Sequence, residues 1–297
     1  VPHTMSRMGD VLAGFHAAWE FESDSVLIRY ERGIRTPKLF QALGERRVPL
    51  EAIEGVTLTP GKRGTVVLRV EPRAGADPLI EAAAGQLKES GDPYRLVLPA
   101  ERETLAEYYA DELRALLTES GKTERYLVAP PEAPLQFKAY DGKASFDGRA
   151  VSFRWSWTGA SSAKWKAGDQ NFPVSDLGGV EWRSPEMFEG YLRLLPRDAD
   201  ASAAAAPAAP QADQDPAAVV FGLGYGPVHE SLPFAAAVLA AVRERAAVAP
   251  VPVAVPAPRR DPADIAERIR HLGELHQQGL VTDEEFSSKK AELLAQL

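Results

Sequence analysis

Cysteine is absent from the 297-residue chain, which excludes disulfides, thiolate nucleophiles and cysteine-ligated zinc. Histidine is nearly as scarce, with five in all. His3, His16 and His229 are scattered, and His271 and His276 are five apart, a spacing that does not share a helical face as an HExxH pair does. No metal site is expected. Long apolar runs are also missing. The alanine-rich stretch 235–242 runs at once into Arg243, Glu244 and Arg245, far short of the roughly 18 apolar residues that span a bilayer. No basic segment followed by an apolar one opens the sequence, so no secretion signal is expected, and residues 1–5 (VPHTM) read as a tag remnant. An excess of positive charge is lacking too. Lys and Arg number 34 against 42 Asp and Glu, a net charge of -8. Such a chain gains little from nucleic acid, and an anionic membrane attracts it only through a local basic patch. The expectation is a cytoplasmic protein that does not bind nucleic acid.

Catalytic signatures are equally sparse. No G-x-S-x-G elbow occurs. The stretch GLGYG at 222–226 lacks the dinucleotide fingerprint and any surrounding βαβ pattern, and reads as glycines between a strand and a turn. The run Asp283, Glu284, Glu285 suits the first turn of a helix, where the dipole favours carboxylates. A non-enzymatic protein without cofactors is therefore expected.

What the sequence does contain is itself, twice. WEFESDSVLIRY (19–30) matches ASFDGRAVSFRW (144–155) at a shift of about 125 positions. Each has a short turn followed by the strict alternation of a half-buried strand. RVPLEAIEGVTL (47–58) matches NFPVSDLGGVEW (171–182) in the same order, and further strand-like segments follow at 64–72 and 190–198, then at 94–99 and 219–224. Each repeat ends in a helical pattern. In the first, Leu105, Tyr108, Tyr109, Leu113, Leu116 and Leu117 recur between Glu101 and Glu119. In the second, Leu232, Val238, Leu239 and Val242 do so, pairing Leu113 with Leu239 at a shift of about 126.

Strands closed by a terminal amphipathic helix predict an α+β fold of two tandem pleckstrin-homology-like units, at 8–122 and 132–246. A six- or seven-stranded roll of another topology gives the same string. Each repeat carries an insertion before its last strand. Residues 73–93 form the first, and the Ala/Pro-rich stretch at 199–217 the second, with too little apolar surface to order itself. Because the insertions differ, neither is expected to carry a shared function.

Proline at every second or third position makes 247–260 a semi-rigid spacer. Beyond it, residues 261–297 predict a helical hairpin. Ile265, Ile269, Leu272 and Leu275 form one apolar stripe, with Asp261 and Pro262 at its start. Gly279 stops that helix. Thr282 and Glu285 form a capping box for the next, Leu280 and Phe286 a staple, and Leu293 and Leu294 continue its stripe behind Lys289 and Lys290. Two such short helices cannot bury their stripes against each other alone. Ile265, Ile269, Leu272, Leu275, Leu280, Phe286, Leu293 and Leu294 are therefore the expected contact residues for a homo-oligomer or a protein partner, the alternative being packing within the chain.

These C-terminal residues resemble the short C-terminal domain SHOCT, with Gly279, Leu280, Val281, Thr282, Asp283, Glu284, Glu285 and Phe286 followed by Lys289, Lys290, Leu293 and Leu294. The tandem part, through its W-x-F opening, VPLEAIEGV and DPYRLVLP, resembles the DUF4429 family of actinobacterial proteins. The resemblance implies a bacterial cytosolic protein in which SHOCT mediates contacts. It supplies architecture and little chemistry.

One cluster remains. Arg154, Trp157, Lys164, Trp165 and Lys166 interleave cations with aromatics, and the matching stretch of the first repeat holds Arg32, Arg35, Lys38, Arg46 and Arg47. These ten residues are a candidate ligand or lipid loop set. The competing reading places the aromatics in the core and the cations in solvated turns.

Overall fold

The structure, a computed structural model, describes residues 10–187, 189–197 and 211–248, together with Phe286, Ser287 and Lys290. It is α+β, with four antiparallel sheets divided equally between two tandem repeats. In the first repeat, β1 (Asp10–Ala13), β2 (Ala17–Phe21), β3 (Ser25–Tyr30) and β4 (Glu45–Pro49) form one sheet in sequence order. Strands β5 (Ile53–Pro60), β6 (Thr65–Pro72) and β7 (Arg95–Pro99) form the second. Two short helices, α1 (Lys38–Leu43) and α2 (Pro78–Ala83), interrupt them, and α3 (Glu103–Leu116) closes the repeat.

The second repeat follows the same plan. Strands β8 (Leu135–Lys138), β9 (Gly142–Phe146), β10 (Ala150–Trp155) and β11 (Gln170–Pro173) pair in sequence order, with α4 (Ser162–Ala167) before the last. Strands β12 (Leu177–Arg183), β13 (Tyr191–Pro196) and β14 (Ala218–Val220) form its second sheet, and α5 (Val228–Val248) ends it.

Equivalent bonds join the two sheets of each repeat. The Phe15 amide donates to the Val97 carbonyl at 2.7 Å, and the Tyr140 amide to that of Val220 at 3.0 Å. Equivalent rings also seat the terminal helices. Tyr109 of α3 stacks on Phe21 at 4.3 Å, and Phe234 of α5 meets Phe146 edge-on at 6.2 Å. Ala106, Tyr109, Ala110 and Leu113 are the buried residues of α3, and Ser231, Phe234, Ala235 and Val238 are buried on α5. Burial therefore pairs Leu113 with Val238, which corrects the leucine-based alignment to Leu239. Leu105, Tyr108 and Leu116, expected in the α3 stripe, are exposed.

The two helices meet different surroundings. On α3 the outer face carries the exposed Glu107 and Asp111 and the half-buried Glu112, whereas Leu232, Ala236 and Ala237 bury the matching face of α5. The cause is α2, part of the insertion at 73–93, which packs with α1 on α5. Leu39, Leu79, Ala82 and Ala83 of the first repeat enter the core of the second. Arg243 of α5 bonds the Gly75 carbonyl at 3.1 Å and Glu81 at 2.8 Å, and its guanidinium lies 3.9 Å from the Tyr126 ring centroid. The insertion of the first repeat, unlike its Ala/Pro-rich counterpart in the second, is thus the clasp that makes one body of both.

Of the stretch expected to be a disordered loop, residues 211–217 are described and tied down. Arg193 pairs with Asp215 at 2.9 Å, and the Ser161 hydroxyl donates to the Asp213 carbonyl at 2.6 Å. GLGYG is the turn from β14 into α5, where Gly226 takes φ 58° with the Phe221 ring against its Cα. Phe286, Ser287 and Lys290 are helical, with the Lys290 ammonium 5.6 Å from the Phe286 ring centroid. The other expected hairpin contacts, Ile265, Ile269, Leu272, Leu275, Leu280, Leu293 and Leu294, lie outside the described residues. Among those described, no helix is long and apolar enough to cross a membrane.

Candidate functional site

The ten cations and aromatics singled out above do not form one surface. Arg46 is 6% exposed, turned inward from β4. Its guanidinium bonds the Asp77 carboxylate at 2.8 Å, and the Tyr94 hydroxyl donates to the other Asp77 oxygen at 2.5 Å. Asp77 also caps α2 by accepting from the Leu79 amide at 2.8 Å. Burial opposes the charge on Arg46, but Asp77 and the neighbouring tyrosine oxygens outweigh it and hold the guanidinium protonated. Burial also pushes the Tyr94 hydroxyl well above its ordinary range. Arg46 is thus a structural cation that fixes the clasp helix, which removes it from the surface set.

Lys164 leaves that set for the same reason. It is 0% exposed, and its ammonium donates to Asp141 at 2.5 Å while lying 5.0 Å from the Trp155 ring centroid. Asp141 also accepts from the Val220 amide at 3.0 Å. Burial raises the Asp141 carboxyl and lowers the Lys164 amine, each shift opposed by the partner's charge. Arg47 is exposed but paired with Glu22.

The remaining residues face solvent between the end of the third strand and the short helix of each repeat, Arg154 on β10, Lys38 on α1, Trp165 and Lys166 on α4, and the rest on the loops. In the first repeat, Ile34 at the loop tip is 106% exposed between the exposed Arg32 and Arg35, with Lys38 opening α1. In the second, Trp157 is 81% and Trp165 51% exposed, and their rings meet edge to face at 5.1 Å. Arg154 and Lys166 flank them, Arg154 lying 4.0 Å from Asp169. The loop is held from below. The Trp155 indole donates to the Gly168 carbonyl at 2.7 Å, and the Ser161 hydroxyl caps α4 at Lys164. Both repeats thus present an apolar tip between cations, with the larger aromatic area in the second.

A cleft of ≈ 870 Å³ lies where the repeats meet. Leu39, Phe221 and Val228 help to line it, with Lys38 and His229 at one side and the Lys88–Glu186 pair, at 3.2 Å, at another. Burial lowers the His229 imidazole; Glu230 opposes this and Lys38 adds to it. Tyr140 and Tyr225, both exposed, meet edge to face at 6.3 Å beside the fully exposed Leu223. The sequence does not reveal this cleft, because its walls come from segments of both repeats that are distant along the chain. Among the described residues, no group of histidine, aspartate or glutamate side chains is arranged to hold a metal ion.

A family model described as a domain of unknown function, DUF4429, matches residues 19–114 and 144–239. The short C-terminal domain, SHOCT, matches 267–294. No curated protein matches the chain. The two DUF4429 matches begin at Trp19 and Ala144, partners in the repeat, and together cover more than half of the 297 residues: the chain belongs to the DUF4429 family, in two tandem copies, and carries a SHOCT domain.

Proposed function

We propose that this protein is a non-enzymatic bacterial cytoplasmic scaffold, in which two pleckstrin-homology-like units bind a protein partner and the SHOCT hairpin makes oligomer or partner contacts. The observation that carries the reading is the division of the chain into a two-repeat body ending at Val248 and a separate unit, Ala249–Leu297, that contains the SHOCT match. Four strands, then three, then a helix seated on the core by the Tyr109 and Phe234 rings support the pleckstrin-like description of each repeat. A hairpin of this length has too little core of its own, which favours contact with a second surface. Size-exclusion chromatography with light scattering, on the full chain and on a chain ending at Val248, tests the proposal. An assembly that depends on residues 249–297 supports it, and monomers in both cases defeat the oligomer claim.

A second reading, attachment to an anionic membrane surface, is favoured by the exposed Trp157–Trp165 pair beside Arg154 and Lys166. Indole rings settle at bilayer interfaces, and cations attract anionic headgroups. Flotation with anionic vesicles decides it, and absence of salt-sensitive binding removes it.

A further inference from the structure

The strand register of the second repeat places three cations side by side on the outer face of its four-stranded sheet. Lys138 of β8 pairs with Lys143 of β9, and Lys143 pairs with Arg154 of β10. All three side chains are exposed. Like charges directly opposite one another in a sheet are destabilising, so such a row needs a counter-charge. Among the described residues, Lys138 and Lys143 have no ion-pair partner, and Arg154 has only the exposed Asp169 at 4.0 Å.

The next row on the same face is polar throughout. Gln136, Ser145, Ser152 and Asn171 are paired in turn, and the Ser152 hydroxyl donates to Asn171 at 2.9 Å. The polar row, Lys143, Arg154 and the exposed Asp169 line a shallow cradle of ≈ 500 Å³, and Lys138 stands beside it as the cross-strand partner of Lys143. Its floor offers hydrogen-bonding groups, and its edge offers positive charge.

The first repeat is an internal control. At the matching positions it has Ala13, Ala18 and Arg29, and Glu20 in place of Ser145. Arg29 there pairs with Glu20 at 2.5 Å and with Glu45 at 3.8 Å, so the face is neutralised. Across these rows the second repeat adds two lysines and lacks the Glu20 carboxylate, and it holds Asn171 where the first repeat has Arg47, itself paired with Glu22.

We propose that this face of the second repeat binds a multiply charged phosphate-type anion across Lys138, Lys143 and Arg154, a site the first repeat does not have. Adjacent strands lie about 4.8 Å apart, so the three cations span about 10 Å, a length suited to an anion bearing several charged groups. The amide and hydroxyl groups of the polar row donate to its remaining oxygens. The site stands independently of the oligomer reading, because its residues belong to the two-repeat body.

The test is calorimetric titration of the full chain with tripolyphosphate, at low and at raised salt, with a parallel arm of phosphatidylserine-containing vesicles. Saturable binding that weakens with salt is expected. It falls at least ~10-fold in the Lys138→Ala/Lys143→Ala variant, which installs the alanines the first repeat already tolerates. Arg29→Ala leaves it unchanged. Lys143→Gln provides a second variant that keeps the side-chain stem. Tripolyphosphate binding lost in these variants assigns a soluble ligand, and vesicle binding alone, lost in the same variants, assigns a lipid headgroup. Binding to neither probe, or binding that the variants retain, overturns the proposal.

Discussion

Lys164 donates to Asp141 at 2.5 Å in the second repeat, at the place where the first stacks Phe40 on Tyr30 at 4.8 Å. One scaffold position is thus filled in two ways, by an aromatic pair and by a buried ion pair under Trp155. Removing one member of a buried pair strands the other charge. Asp141→Asn or Lys164→Met alone should destabilise by about 3–5 kcal/mol, whereas the double variant should recover much of that loss. Urea unfolding of all three variants measures it, and additive losses would contradict the pairing.

Asp77 serves two elements at once, accepting from Arg46 and Tyr94 in the sheets and capping α2. Asp77→Ala leaves the Arg46 charge buried without its partner, at a cost of about 3–5 kcal/mol. Because α2 clasps α5, hydrogen exchange in α5 should quicken along with that in α2. Faster exchange in α2 with α5 unchanged would refute the clasp.

His229 supplies a pH dependence. Its imidazole is held below the ordinary value by burial and by Lys38. A base with a lowered folded pKa binds its proton more readily when the chain is unfolded. Stability is therefore full above the unfolded value near 6.5 and falls as pH drops from there through the lower folded value. Thermal melts of the native chain and of His229→Gln across that window should diverge on the acid side, with the variant losing less. Parallel curves would exclude the histidine as the cause.

Trp157 has its tip in water, so its role is separable from folding. Trp157→Ala should shift stability by no more than ~0.5 kcal/mol. Under the membrane reading it should abolish vesicle flotation. Unaltered flotation would place the contact elsewhere.

The duplication is legible in the sequence because alternation in strands such as 25–30 and 150–155 depends on local chemistry alone. The helix register is less so. Leucines invite the pairing of Leu113 with Leu239, but the surface that matters on α5 includes Ser231, whose hydroxyl accepts from the Trp182 indole at 3.0 Å. A leucine count misses a buried serine. Arg46 and Lys164 resemble surface cations because their carboxylates, Asp77 and Asp141, are distant in sequence. The row Lys138, Lys143 and Arg154 appears only once the register of three strands is known. Residues 73–93 differ from the insertion of the second repeat and are expected to carry no shared function, yet α2 within them joins the repeats.

The most direct measurement is the solution mass of the full chain beside that of a chain ending at Val248, by light scattering over a range of concentrations. The scaffold reading predicts a full chain at a multiple of its 32.2 kDa mass, and a folded, monomeric body without residues 249–297. Monomers at every concentration for both chains would contradict it.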